Sequence, residues 1–293
     1  MSSQNSFLNI TQQGKNGWLR YLLGIITIFG IVLLSILAYG YIIYCFFNIP
    51  IKELFLLSTK DPILLLFVFN LYSLSLVTGI YIATEKIHKK KFKTLFSSRG
   101  TIDWLRIVRG SVLWLITYFA TWILLYIIHP SRYQLIFNFS EWIPLAFIYL
   151  VLSVFGSFSI IIFLYSYLLQ GIYSFIRNRV LAIIILSAII STFFIDLEYP
   201  EYWIANFIFS LFFTLIVIKD NRIELAVGMH IPNLFLRNSF LAPLKSNFVF
   251  SAVFETNGES NIFFYLMICI IRFSLFYFLC FHISKKRGVS NFN

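Results

Sequence analysis

The chain has 293 residues, of which 59% are hydrophobic and only 12% charged, with a mean hydropathy of +0.84 and a net charge of +11. The charged fraction is about half that of a soluble domain, and no water-soluble fold hides so much apolar surface. A polytopic membrane protein follows, and the positive charge belongs to cytoplasmic loops rather than to a nucleic-acid interface. Cys45, Cys269 and Cys280 lie in apolar runs without a CxxC pair. That arrangement supports neither a disulfide framework nor thiolate zinc.

Residues 1–17 form a polar tail, expected to fray. Residues 18–47 are a first span, longer than the roughly 20 residues a bilayer needs. A short loop bearing Pro50 leads to a second span, 62–84. The stretch 85–106 carries Lys86, His88, Lys89, Lys90, Lys91, Lys93, Arg99 and Arg106 and reads as a solvated cytoplasmic loop touching anionic lipid. Residues 107–128 are a third span, with Arg109 able to snorkel near its end. An outside loop begins at His129 and ends near Glu141.

Residues 142–176 then run for 35 positions without a charge. One helix of that length would be about 52 Å long, against about 30 Å of hydrocarbon. Two readings compete: two spans, or one long helix kinked near Gly156. Arg177 and Arg179 end the run, and 180–195, 202–218, 223–240 and 262–281 follow as further segments before the basic tail Lys285-Lys286-Arg287. With one long helix there are eight segments, both termini lie on one side, and most Lys and Arg residues fall on that side. Splitting the run would put Arg177, Arg179, Lys219, Arg222 and the basic tail outside. The positive-inside rule therefore favours the single helix with cytoplasmic termini.

Within 223–240, His230 and Asn233 lie three residues apart, on one face of a helix. Pro232 has no N–H, so the Gly228 carbonyl loses its helical partner and is free to bond elsewhere. The short, proline-broken segment is expected to pack inside the bundle. An imidazole beside a carboxamide is a functional-site candidate; the plain alternative is a polar pair joining two helices. His230 is the one histidine expected to be buried, since His88 and His282 flank the membrane and His129 lies outside. The thin set of metal candidates is His230 with Asp196, whose neighbours Glu198 and Glu201 read most simply as loop acids. Arg272, in mid-span, should face the bundle interior, with Asp196 or Glu224 as possible counter-ions. His230, Asn233 and Arg272 together make a candidate polar pocket. No nucleotide or nucleophile-elbow fingerprint occurs.

The order of Asp103-Trp104, Pro130-Ser131-Arg132-Tyr133-Gln134-Leu135-Ile136-Phe137, Tyr167-Leu168-Leu169-Gln170-Gly171, Asn178, Leu197-Glu198-Tyr199-Pro200-Glu201 and Glu224-Leu-Ala-Val-Gly-Met-His230-Ile-Pro-Asn233 resembles the CPBP family of intramembrane proteins. That family includes type II CAAX prenyl endopeptidases and bacteriocin-immunity relatives. The resemblance implies an all-α polytopic bundle with a core over 99–240. That core is preceded by the tail 1–17 and the helices and basic loop of 18–98, and followed by 241–293, with an outer loop, a last helix and the basic tail. It also implies a metalloendopeptidase whose paired glutamates activate water.

Here the glutamate positions hold Ile160 and Ile161, the arginine position Tyr165 and a histidine position Asp196; His230 and Asn233 match. Isoleucine cannot take a proton from water. The expectation is a catalytically inactive relative in the bacterial cytoplasmic (inner) membrane. Its partners would be the lipid bilayer and membrane or prenylated peptides. Zinc enters only under the alternative of a working protease on Asp196 and His230, and a small transporter is a third reading.

Overall fold

The computed structural model describes residues 7–8, 14–48, 50, 53, 61–97, 100–193, 202–243, 252–256 and 262–283. The described chain is a helical bundle. In order it forms α1 (Trp18–Phe47), α2 (Pro62–Ile82) extended by a π-helical turn (Ala83–Ile87), α3 (Trp104–Ile128), α4 (Phe139–Ile160), a π-helical stretch (Ile161–Leu168), α5 (Leu169–Ile176), α6 (Arg179–Phe193), α7 (Tyr202–Asp220), α8 (Glu224–Ser239) and α9 (Ile262–Phe278). Five of the helices are long and apolar enough to cross a membrane. Helix α6 and the α9 region are shorter apolar helices. The chain is an integral membrane protein.

The long uncharged run is one continuous helix, Phe139–Ile176, through α4 and α5. It departs from α geometry at Ile161–Leu168 rather than at Gly156. It ends where Arg177 adopts a left-handed conformation (φ 53°) and the Asn178 side chain accepts from the Val180 and Leu181 amides, starting α6. Asp61 caps α2 by accepting from the Ile63 and Leu64 amides, with Pro62 at the first helical position. Asp103 caps α3 in the same way through Arg106.

Helix α8 is the central one. It packs against α3, α4 and α7, and every residue from Glu224 to His230 is buried. Helices α3 and α8 meet backbone to backbone. A Cβ on Gly110 would lie 2.8 Å from the Leu225 carbonyl oxygen, and one on Gly228 would run into the Ile107 carbonyl. The Gly228 carbonyl, left without a helical donor by Pro232, accepts the Ser111 hydroxyl at 2.8 Å.

Some expectations fail. Phe7 and Leu8, in the tail expected to fray, are fully buried, and the Phe7 amide donates to Asn221 Oδ1. The loops between 129 and 261 are not wholly irregular. Strands β1 (Tyr133–Leu135), β2 (Leu241–Pro243) and β3 (Phe254–Thr256) form a small sheet in the order β1-β3-β2. In it β1 is antiparallel and β2 parallel to β3, with Leu135 and Leu241 both opposite Phe254.

Candidate functional site

His230 projects from α8 towards α4 and α7. Its Nδ1 lies 2.9 Å from Ser157 Oγ on α4, and its ring meets Phe213 of α7 edge-on, with centroids 5.5 Å apart. Ser157 is fully buried and His230 is 8% exposed. Asn233, one turn further on, is half-buried. Ile161 is fully buried and Ile160 partly so. Tyr165 is buried and stacks on Phe213 at 5.3 Å. The histidine and the tyrosine at the arginine position thus share one phenylalanine.

Asp196, Glu198 and Glu201 lie outside the described residues. Among the described residues no three His, Cys, Asp or Glu side chains group so as to hold a metal ion. A zinc site needs about three protein ligands, and among the described residues no such group includes His230; the Nδ1 contact with Ser157 orients the ring and does not engage Nε2.

Arg272 does not join His230. Its Nε donates to Thr121 Oγ1 at 2.9 Å, and its guanidinium carbon lies 4.4 Å from the Tyr118 ring centroid. The Phe209 ring touches Phe213, the ring that His230 meets, at 4.7 Å and Phe273, next to Arg272 in α9, edge-on at 5.4 Å. Glu224 is not its counter-ion, because the Glu224 carboxylate faces Arg222 at 3.6 Å and accepts the Asp103 amide. Nearby Arg106 pairs with Asp220 and, at 3.5 Å, with Asp103. These pairs pin the start of α3 to the α7–α8 turn.

A second buried polar cluster was not expected from the sequence. His88 and Lys90 sit in the basic stretch read as a solvated loop, yet they are 2% and 6% exposed. His88 Nε2 lies 3.0 Å from the Tyr167 hydroxyl, under the Tyr21 ring at 4.3 Å. Lys90 Nζ donates to Gln170 Oε1, and Ser166 Oγ donates to the Leu95 carbonyl. The Lys15 amide donates to the His88 carbonyl and Arg20 to that of Ile87. Gly24 is what admits the Tyr167 hydroxyl, because any Cβ there would occupy its place. Burial pulls His88 down to about 4, a contact with the Lys15 backbone opposes this, and the charges of Lys90 and Arg20 add to the fall. Burial alone pulls Lys90 down to about 7. The available signal was the pairing of polar Tyr167 and Gln170 in an otherwise apolar run, since buried polar groups need partners. Lys86, Lys89, Lys91 and Lys93 remain exposed, as expected of a solvated loop.

No family model matches the chain, and no solved structure matches it. The chain is similar to the uncharacterized protein YyaK of Bacillus subtilis (strain 168), with 24% identity over 238 residues, covering 78% of this chain and 79% of that one.

Proposed function

We propose that this chain is a CPBP-type membrane protein that binds or scaffolds membrane peptides without hydrolysing them. The observation that carries this reading is the setting of His230. Its imidazole is engaged by Ser157 and Phe213, and the glutamate positions of the resemblance hold Ile160 and the fully buried Ile161. A hydrolase needs a group there that takes a proton from water and passes it to the leaving amine. Isoleucine provides none. Tyr165, at the arginine position, is spent on ring stacking with Phe213.

The same proposal includes eight membrane segments with both termini cytoplasmic, in a bacterial cytoplasmic membrane. The continuous Phe139–Ile176 helix supports the eight-segment count, and the basic residues of the 85–106 loop support the orientation. The test is incubation of purified protein with prenylated and membrane-spanning peptides carrying a photo-crosslinker, with and without zinc. Crosslinking without cleavage is expected. Metal-dependent cleavage that disappears in His230→Ala would overturn the reading in favour of a working protease.

A further inference from the structure

The polar tail is fastened at two places. Phe7 and Leu8 are fully buried, and the Phe7 amide donates to Asn221 Oδ1 at 3.2 Å in the turn before α8. Further along, the Lys15 amide donates to the His88 carbonyl at 2.8 Å, and Arg20 Nη1 to the Ile87 carbonyl. Gly14 lies flat on the same turn. A Cβ there would come 2.5 Å from the His88 carbonyl oxygen and 3.3 Å from Lys90 Cβ, and the φ of +79° suits glycine. The tail therefore covers Lys90.

The covered turn is rich in positive charge. Lys89, left-handed at φ 53°, stays exposed between two buried neighbours, a conformation that a non-glycine residue holds only under constraint from its surroundings. The Lys90 ammonium donates to Gln170 Oε1, although it carries three donors. His88 Nδ1 is buried without a hydrogen-bond partner. The titratable and charged groups around the pair are Tyr21 and Arg20 of α1, Tyr167 of the π-helical stretch and Lys15 of the tail. Two of these are themselves cations. Glu85, the acid of the same turn, accepts the Phe92 amide at 2.6 Å. No carboxylate among the described residues pairs with His88, Lys90, Arg20 or Lys15. A charge on Lys90 thus lacks a counter-ion while the tail is in place and gains water once the tail lifts.

We propose that the tail is a clasp and Lys90 its catch: when Lys90 takes up a proton, Gly14 and Lys15 lift from the 87–90 turn while the helices stay packed. The Phe7 amide is held by an asparagine, which does not titrate, so Phe7 and Leu8 keep the tail tethered and the clasp closes again when the proton leaves. Opening uncovers Lys90 beside the exposed Lys86, Lys89, Lys91 and Lys93, and this end of the bundle gains positive charge. Burial holds the closed Lys90 at about 7 against an ordinary 10.5. Opening therefore becomes easier as pH falls from 10.5 to about 7 and levels off below that. His88, held at about 4 against 6.5, adds a second and lower window. The proposal does not depend on whether the His230 site is catalytic.

The test is hydrogen exchange of the full chain in one detergent between pH 7 and 9.5, corrected for intrinsic rates. From pH 9 to 7 the Lys15 amide should lose protection by up to about tenfold per pH unit. The α8 amides should stay far more strongly protected at each pH, which marks the opening as local. Lys90→Met should abolish the slope, and Lys90→Arg, charged throughout, should leave Lys15 unprotected at every pH. Gly14→Ala should open the clasp regardless of pH and let an amine reagent label Lys90 as fast as Lys89. If Gly14→Ala does not fold, Lys15→Pro, which removes the amide donor, takes its place in the labelling. Exchange of Lys15 only in step with α8 would overturn the proposal. So would one common slope in the wild type and Lys90→Met, or a Lys90 that resists the reagent once Gly14 or Lys15 is replaced.

Discussion

The Ser111 hydroxyl donates to the Gly228 carbonyl across the α3–α8 contact at 2.8 Å. This is the acceptor that Pro232 strips of its helical partner, so one residue's missing N–H is repaired by a neighbouring helix. Ser111→Ala leaves the carbonyl unsatisfied in an apolar setting. The expected loss is about 1 kcal/mol, read as earlier thermal unfolding in detergent. No change in Ser111→Ala would mean that the bond contributes nothing to the α3–α8 contact.

Gly228→Ala should be worse than Ser111→Ala. The new methyl meets the Ile107 carbonyl on one side and has Gly110 Cα at 3.1 Å on another. Both obstacles are backbone, so no rotamer change relieves them, and the helices must move apart. A loss of about 3 kcal/mol, at the upper end for overpacking, is expected. Gly110→Ala, with the Leu225 carbonyl oxygen 2.8 Å from the new methyl, should fall in the same range. The two losses should combine with less than full additivity because they open one contact. Unfolding midpoints of the three variants test the order.

The buried loop cluster should make stability depend on pH in two windows. His88 is held at about 4 against an ordinary 6.5. Between those values the unfolded chain binds the extra proton, so stability climbs as pH rises through the window. Lys90 is held at about 7 against 10.5, and a second climb should run from about 7 upwards by the same reasoning. The groups facing the pair are Tyr21, Tyr167 and Gln170, with Arg20 and Lys15 beside them. His88→Gln should flatten the lower window and Lys90→Met the upper one. Thermal unfolding across pH 4–10 in a single detergent decides it, and an unchanged profile in both variants would refute the assignment.

Helix positions were legible because apolar runs and their charged or proline borders are a strong local signal. The run from 142 to 176 is one helix in the structure, as the distribution of basic residues favoured, although it departs from α geometry at Ile161–Leu168 and not near Gly156. The fate of the Gly228 carbonyl was legible too, since the consequence of a proline is stereochemical and needs no knowledge of the fold. What the sequence could not show was long-range. His88 and Lys90 look like any residues of a basic loop until Tyr167 and Gln170, far along the chain, are brought against them. Phe7 and Leu8 sit in a polar tail, and the partner that anchors the Phe7 amide, Asn221, lies more than two hundred residues on. Arg272 was legible as an inward-facing charge, but its neighbours, Thr121 and Tyr118, come from a different helix and were not foreseeable from spacing.

Orientation is testable by reporter fusions. Reporters after Lys93, Arg179, Arg222 and Arg287 should read as cytoplasmic, and reporters near Asp61, Arg132, Glu201 and Asn257 should read as external, because positive residues are retained on the cytoplasmic side. The most informative site is Glu201. A cytoplasmic reading there would place an odd number of crossings between it and Arg132, and the eight-segment arrangement would fall.

The last prediction concerns rebuilding the missing carboxylates. Ile161 is fully buried and Ile160 partly buried, one turn beyond Ser157 on the helix that faces His230. Ile160→Glu with Ile161→Glu would place two carboxyl groups among Ile162, Phe163 and Leu164, which are themselves buried. An unpaired polar group in such a setting costs roughly 3 kcal/mol or more. Nothing nearby offsets it, because Tyr165 stacks on Phe213 rather than offering a cation, and Nδ1 of His230 already contacts Ser157. The double variant should therefore unfold earlier than the wild type and show no peptide cleavage. Adding Tyr165→Arg should recover part of the lost stability by giving the carboxylates a partner. The measurement is paired: unfolding midpoint and peptide hydrolysis on the same preparations of wild type, double and triple variants. A double variant that is as stable as the wild type, or that hydrolyses peptide unaided, would show that the interior around Ile160 and Ile161 is polar enough for catalysis, and would reopen the protease reading.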